Sequence, residues 1–188
     1  MKKSRPRGLL KHPDTKAKIL AAAQEEFSDK GYSGAGIRDI AARAGVSSTL
    51  LLRYFGSKAK MYEAALASII PADMSFAQLD KRGFGKTLAR MILSPEWDLR
   101  SPSMVALAIG DPDARDATTR VTEERVIKPL AQWLGPPQAE ARALEIIMVS
   151  LGFLIYARRL PVIPHAVGAT KDVGKWFAAT IQAIVDRG

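Results

Sequence analysis

The 188-residue sequence contains no cysteine and only two histidines. Disulfides, thiolate ligands and cysteine nucleophiles are therefore excluded, and His12 and His165, far apart and without cysteine, do not make a zinc site. The missing cysteine agrees with a reducing compartment, so a cytoplasmic location is expected. Long apolar runs are missing too. The longest uncharged one, 146–157, has 12 residues, against the roughly 20 that a membrane-spanning helix needs. The basic start is not followed by an apolar core long enough for a signal peptide. No segment alternates as a half-buried strand would, and there is no internal repeat. These absences leave an all-α chain, expected to use no metal, no cofactor and no membrane.

Two catalytic or nucleotide-binding patterns fail on specific positions. Gly83-Phe84-Gly85-Lys86-Thr87 ends like a phosphate-binding loop, but the full motif needs glycine where Asp80 stands and an apolar strand upstream. A Ser/His/Asp hydrolase would have to use His165, and no serine lies in the glycine pattern of a nucleophile elbow.

Charge is present and uneven. The chain carries a net +9. Residues 1–70 hold 13 Lys and Arg against 6 Asp and Glu, a net +7, whereas 71–188 hold 15 against 13, a net +2. A basic surface confined to one segment is the footprint of a polyanionic partner.

The basic segment is organised around residues 37–55, IRDIAARAGVSSTLLLRYF. Ile37, Ile40, Ala41 and Ala44 fall on one face of a short helix. Gly45 ends it, since glycine takes positive φ without strain. Val46 turns back to the core, and Ser47 is placed to cap the next helix. That helix carries Leu50, Leu51 and Phe55 inward and Ser48, Thr49, Leu52, Arg53 and Tyr54 largely outward. Two short helices joined by a glycine turn form a helix-turn-helix, with the second helix sized for a major groove.

The stretch from Thr15 to about Leu66 resembles the DNA-binding domain of the TetR family of transcriptional regulators. The resemblance rests on an amphipathic first helix ending in Gly31-Tyr32, on Ile37-Arg38-Asp39-Ile40-Ala41, on Ala44-Gly45-Val46-Ser47, and on Tyr54-Phe55-Gly56-Ser57-Lys58. It implies double-stranded DNA as partner, with Arg38, Ser47, Ser48, Thr49, Leu52, Arg53, Tyr54 and Lys58 as contacts. Arg53 has the fork that reads guanine, Leu52 could meet a thymine methyl, and Ser48 and Thr49 could bond base or phosphate. Lys58, in the first turn of the helix capped by Ser57, opposes the helix dipole, a conflict that a bound phosphate would resolve. The sequence departs from the family's pattern at two places. Ala35 and Gly36 stand where a capping threonine is usual, and Leu52 stands where a tyrosine is common.

Residues 1–14 read as a disordered basic arm, 15–70 as the DNA-binding domain with a connecting helix over 58–70, and 71–188 as a second helical domain. In the latter, helices are expected over 83–93, after Ser94-Pro95 and Ser101-Pro102, from Asp111 to Leu134 with a kink at Pro129, over 138–159, and over 172–186. The run from Ile146 to Tyr156 is apolar nearly all round, which demands burial on both sides. A homodimeric four-helix bundle accounts for that, through Ile147, Ser150, Leu151, Leu154, Phe177 and Ile181. The resemblance implies the same dimer and a cavity for a small-molecule effector. Its candidate lining is Met91, Trp97, Met104, Leu107, Trp133, Phe153 and Tyr156, which suits an apolar or amphiphilic ligand.

The reading is therefore a dimeric regulator, a repressor released from a palindromic operator by its effector. Two other classes stay open at this point: a non-specific DNA-binding protein, and a ligand-binding or enzymatic helical protein.

Overall fold

A computed structural model describes residues 13–70, 76–160 and 167–187. Residues 1–12 of the expected arm, Pro71 and the proline-containing stretch 161–166 lie outside the described residues. Among the described residues there are ten α-helices and no strand.

Helix α1 (Pro13–Gly34) begins on a proline, as a first helical position favours. Its regular part ends at Gly31, whose φ of 69° breaks the helical run. That break turns Tyr32 into the core beside Phe27 and Tyr62, with ring centroids 5.1–5.9 Å apart. Helix α2 (Ile37–Arg43) has Gly36 at its N-cap with no side-chain bond. It closes with the Val46 amide donating to the Ala41 carbonyl and the Gly45 amide to that of Ala42, the paired bonds of a Schellman motif with Gly45 at φ 68°. Helix α3 (Ser48–Phe55) and helix α4 (Lys58–Ile69) each start on a serine that accepts a backbone N–H, Ser47 from Leu50 and Ser57 from Lys60.

The core of these four helices does not end at residue 70. Ile19, Phe27, Ile40, Leu51, Met61, Tyr62 and Leu66 are continuous with Met104, Ala114, Ala117 and Val121. The latter belong to α6 (Arg100–Leu107) and α7 (Pro112–Thr122). Full burial of such side chains is worth about 1.5–3 kcal/mol each, so the basic head and these two helices form one packed body.

A second core lies between α5 (Phe84–Leu93), α8 (Lys128–Leu134), α9 (Ala139–Leu154) and α10 (Val167–Val185). Helices α5 and α10 cross so closely that a Cβ at Gly85 would lie 2.1 Å from the Ala178 carbonyl oxygen. The Gly85 amide donates to Gln182 Oε1 across the same crossing. The glycine-rich stretch at 83–87 thus serves helix packing.

Three local expectations differ from the structure. Ser94 caps the C-terminal end of α5, and α6 starts at Arg100 with Ser101-Pro102 inside its first turn. The helix expected from Asp111 to Leu134 is α7, a π-helical turn Glu123–Ile127 and α8. That widened turn precedes Pro129, which has no N–H to donate and whose ring crowds the carbonyl one turn earlier. Helix α10 begins at Val167, five residues before the expected start.

Arg142 is 2% exposed and has no carboxylate partner among the described residues. Its guanidinium donates to the carbonyls of Ile184, Val185, Gly135 and Pro137. The carbonyls of Ile184, Val185 and Gly135 lie at the C-terminal ends of α10 and α8, where the helix dipoles favour a cation, and that of Pro137 lies in the turn leading to α9.

Candidate nucleic-acid interface

Helix α3 is held by Leu51 and Phe55, both buried. Its rotation leaves Thr49, Leu52 and Arg53 exposed, with Ser48 and Tyr54 half-buried. Tyr54 packs against the first core and lies beside Phe55, so its ring is anchored. Arg53 and Arg38 are exposed and make no salt bridge among the described residues. Ser47 uses its oxygen to cap α3, at 3.1 Å from the Leu50 amide, which leaves its hydroxyl proton for an outside acceptor.

The head is braced from behind. Arg43 Nη1 stands 2.7 Å from Glu25, and its Nη2 2.8 Å from Glu26. Lys30 Nζ lies 2.7 Å from the other oxygen of Glu26. Hydrogen bonding to Lys30, joined by Arg43, holds the buried Glu26 carboxyl below its ordinary range against the opposing effect of burial. This network ties α2 to α1 and fixes the angle at which the helix-turn-helix is presented.

Lys58 stands in the first turn of α4, behind its Ser57 cap, as the sequence places it. Its ammonium is half-buried and lies 4.6 Å from the centre of the Tyr32 ring, folded back onto the head. Burial pushes its pKa down, and the Asp111 carboxylate works in the opposite direction. Burial raises the Tyr32 phenol, and Asp113 and Asp111 add to the effect. The phenol is 3.5 Å from Asp113 Oδ2, and Ser33 Oγ donates to Asp111 Oδ2 at 2.9 Å. The N-terminus of α7 therefore faces the N-terminus of α4.

Further polar ties join the head to the rest of the chain, none of them marked by a local sequence motif. Tyr62 donates to the Met104 carbonyl at 3.0 Å and shares a 2.9 Å hydrogen bond with Thr118. Arg100 reaches Gln24, Arg120 pairs with Glu63 at 2.8 Å, and Arg125 donates to the Ile70 carbonyl at the end of α4.

The seven residues expected to line one effector cavity are not brought together. Met104 belongs to the first core, whereas Trp97, Trp133 and Phe153 belong to the second. Met91, Leu107 and Tyr156 are exposed. Large apolar residues occur throughout a helical domain, and composition does not say which share a void. Two open grooves lie among the described residues, one of about 610 Å³ between α5 and α10 and one of about 410 Å³ between α9 and α10.

The expected dimer residues also divide. Leu154, Phe177 and Ile181 are at most 3% exposed and are used by the chain's own second core, with Phe177 stacked on Phe153. Ile147, Ser150 and Leu151 are half-buried. The exposed apolar surface of α9, of the π-helical turn Ile155–Arg159 that follows it and of α10 instead includes Leu144, Met148, Tyr156 and Trp176.

Among the described residues, no helix is long and apolar enough to cross a membrane, and no group of three or more His, Cys, Asp or Glu is placed to hold a metal ion.

The fold and the presented α3 define a helix-turn-helix protein with an appended helical domain. Residues 19–65 match the family described as bacterial regulatory proteins, tetR family, and residues 83–185 match the tetracyclin repressor-like C-terminal domain. The chain belongs to the TetR family of bacterial transcriptional regulators. It is 36% identical over 88 residues to the HTH-type transcriptional repressor Rv3405c of Mycobacterium tuberculosis, covering 41% of this chain and 46% of that protein. It is 44% identical over 57 residues to the HTH-type transcriptional activator FasR of Mycolicibacterium smegmatis, covering 30% of this chain and 26% of that one. The chain thus spans between a quarter and a half of the length of these curated relatives. Among solved structures, Salmonella enterica GusR superposes with a TM-score of 0.68 at 16% identity, over 95% of this chain and 97% of that one, a likeness of fold.

Proposed function

We propose that this chain is a dimeric, sequence-specific DNA-binding regulator acting in the cytoplasm, a repressor that leaves a palindromic operator when a small apolar or amphiphilic effector binds. The observation that carries the reading is α3: Thr49, Leu52 and Arg53 stand exposed on a helix clamped from beneath by Leu51 and Phe55. Two such helices in a two-fold dimer enter successive major grooves about one helical turn apart. Arg53 reads guanine; Ser47, Ser48, Arg38 and Tyr54 touch phosphates or nearby bases; and the N-terminus of α4 with Lys58 receives a phosphate.

The dimer forms through Leu144, Met148, Tyr156 and Trp176, whose exposure matches the two-sided burial that the sequence of α9 demands. Effector binding acts by population shift, through differential affinity for the DNA-competent and released arrangements. The continuous core from Tyr62 to Met104 and Thr118 is the physical route.

Selection of random-sequence DNA on the purified protein at physiological salt tests the reading. An enriched inverted repeat is expected. Enrichment of nothing, with binding that vanishes as salt rises, would mean a non-specific electrostatic anchor instead.

A further inference from the structure

Along α5, Lys86, Ala89, Arg90 and Leu93 recur at i, i+3, i+4 and i+7, so they share one face. Along α10, Lys171, Gly174, Lys175 and Ala178 repeat the same spacing. The crossing sets the two faces side by side and makes them the walls of the groove of about 610 Å³, with Ser94 at one end. Its floor is apolar, from Ala89, Leu93, Gly174 and Ala178, and its rim is four exposed cations. A Cβ at Gly174 would stand 3.2 Å from Leu93 Cδ1, so the missing side chain lets the floor close.

The rim's charge is largely uncompensated. Lys175 lies 3.2 Å from Asp172. Among the described residues Lys86, Arg90 and Lys171 make no salt bridge, and no carboxylate lines the groove. The segment 71–188 nets only +2, yet four of its cations converge here. Like charges gathered around an apolar trough are unfavourable unless an anion joins them.

We infer that the groove between α5 and α10 binds an amphiphilic anion, with the apolar body on the Ala89–Gly174–Ala178 floor and a carboxylate or phosphate head on the cations of its rim. Arginine and lysine on opposite walls give a carboxylate or phosphate charge-assisted hydrogen bonds from two directions. This site is separate from the seven residues first expected to line a cavity. Its regulatory consequence rests on the effector-released reading above; its binding chemistry does not.

The test is calorimetry on the full chain without DNA. The probes are dodecanoate and dodecyl phosphate below their micellar concentrations, with dodecyltrimethylammonium, inorganic phosphate and phosphatidylglycerol vesicles as comparisons. Saturable binding of the two amphiphilic anions is expected, with neither the cationic amphiphile nor phosphate alone matching it. In the Lys86→Gln/Arg90→Gln variant, whose changed side chains are exposed and leave the fold intact, affinity falls about tenfold or more, the scale of lost charged hydrogen bonds. Equal binding of the cationic amphiphile, unchanged affinity in the variant, or binding to the vesicles alone overturns the site. A second titration, on operator-bound protein, separates the two readings. Anion binding that leaves operator affinity unchanged supports the site and refutes effector release through it.

Discussion

Lys58 Nζ lies 4.6 Å from the centre of the Tyr32 ring, on the side of the head that faces the N-terminus of α7. One cation therefore faces an aromatic ring and the field of the Asp111 carboxylate, and in the proposed complex a DNA phosphate at the start of α4 competes for it. Asp111 also caps α7, accepting from the amides of Asp113 and Ala114. Asp111→Asn keeps the cap and removes the charge. DNA affinity is expected to rise about two- to fivefold at every sequence, the scale of one partly exposed ion pair, with thermal stability nearly unchanged. Asp111→Ala loses the cap and costs about 1 kcal/mol of stability. Lys58→Ala weakens all sites alike and lowers the salt slope of binding by about one. Fluorescence anisotropy across a salt series and thermal melts check these outcomes.

The Glu26 network makes the head acid-sensitive. Its carboxyl is held below the ordinary value of 4.5 by Lys30 and Arg43. The unfolded chain therefore takes up the proton first as pH falls, and the stabilisation is present above about pH 4.5 and lost below it, as pH falls through the folded value. Glu26→Gln should lower stability at pH 7 and flatten this acid limb. Urea melts at pH 7 and at pH 4 measure both effects. An unchanged acid limb would mean that the network contributes nothing.

Arg142 is expected to be among the most sensitive positions outside the head. Arg142→Ala strands four carbonyls in a nearly closed site, at a cost of about 1–3 kcal/mol for each that stays without water. Arg142→Lys keeps the charge but cannot span four acceptors, so it is expected to fall between wild type and alanine in the denaturant midpoint.

The dimer is expected to depend on Trp176 and Met148, each 57% exposed on α10 and α9. Met148→Glu/Trp176→Glu should give a folded monomer in sedimentation velocity and lose cooperative operator binding. Leu154→Ala, by contrast, opens a cavity in the second core and costs about 2–5 kcal/mol. A variant pair that remained dimeric would remove this face from the interface.

The head was legible in the sequence because its signals are local. Gly45 needs positive φ, Ser47 and Ser57 cap the next helix, and Leu51 and Phe55 fall on one face, all within a few residues. Ser94-Pro95 carries the same kind of cap signal, yet tertiary packing makes Ser94 the end of α5. In α9 and α10, periodicity reveals apolar residues on two faces but not which face meets the chain's own core, and Leu154, Phe177 and Ile181, expected against a partner, pack in the second core. Arg142 reads as an ordinary charged position in α9, because its acceptors are distant in sequence or belong to helix ends. The α5–α10 groove depends on the crossing of helices far apart in sequence, set by Gly85 against Ala178.

The central claim is that α3 reads base sequence, with Arg53 as its main reader. The most direct measurement compares the affinity of wild type and Arg53→Ala for the selected inverted repeat and for a scrambled duplex at physiological salt. Wild type is expected to prefer the repeat by about a thousandfold or more. Arg53→Ala should lose about 1–3 kcal/mol on the repeat with little change on the scrambled duplex. Equal affinity of wild type for the two duplexes, or an Arg53→Ala loss of the same size on both, would contradict it.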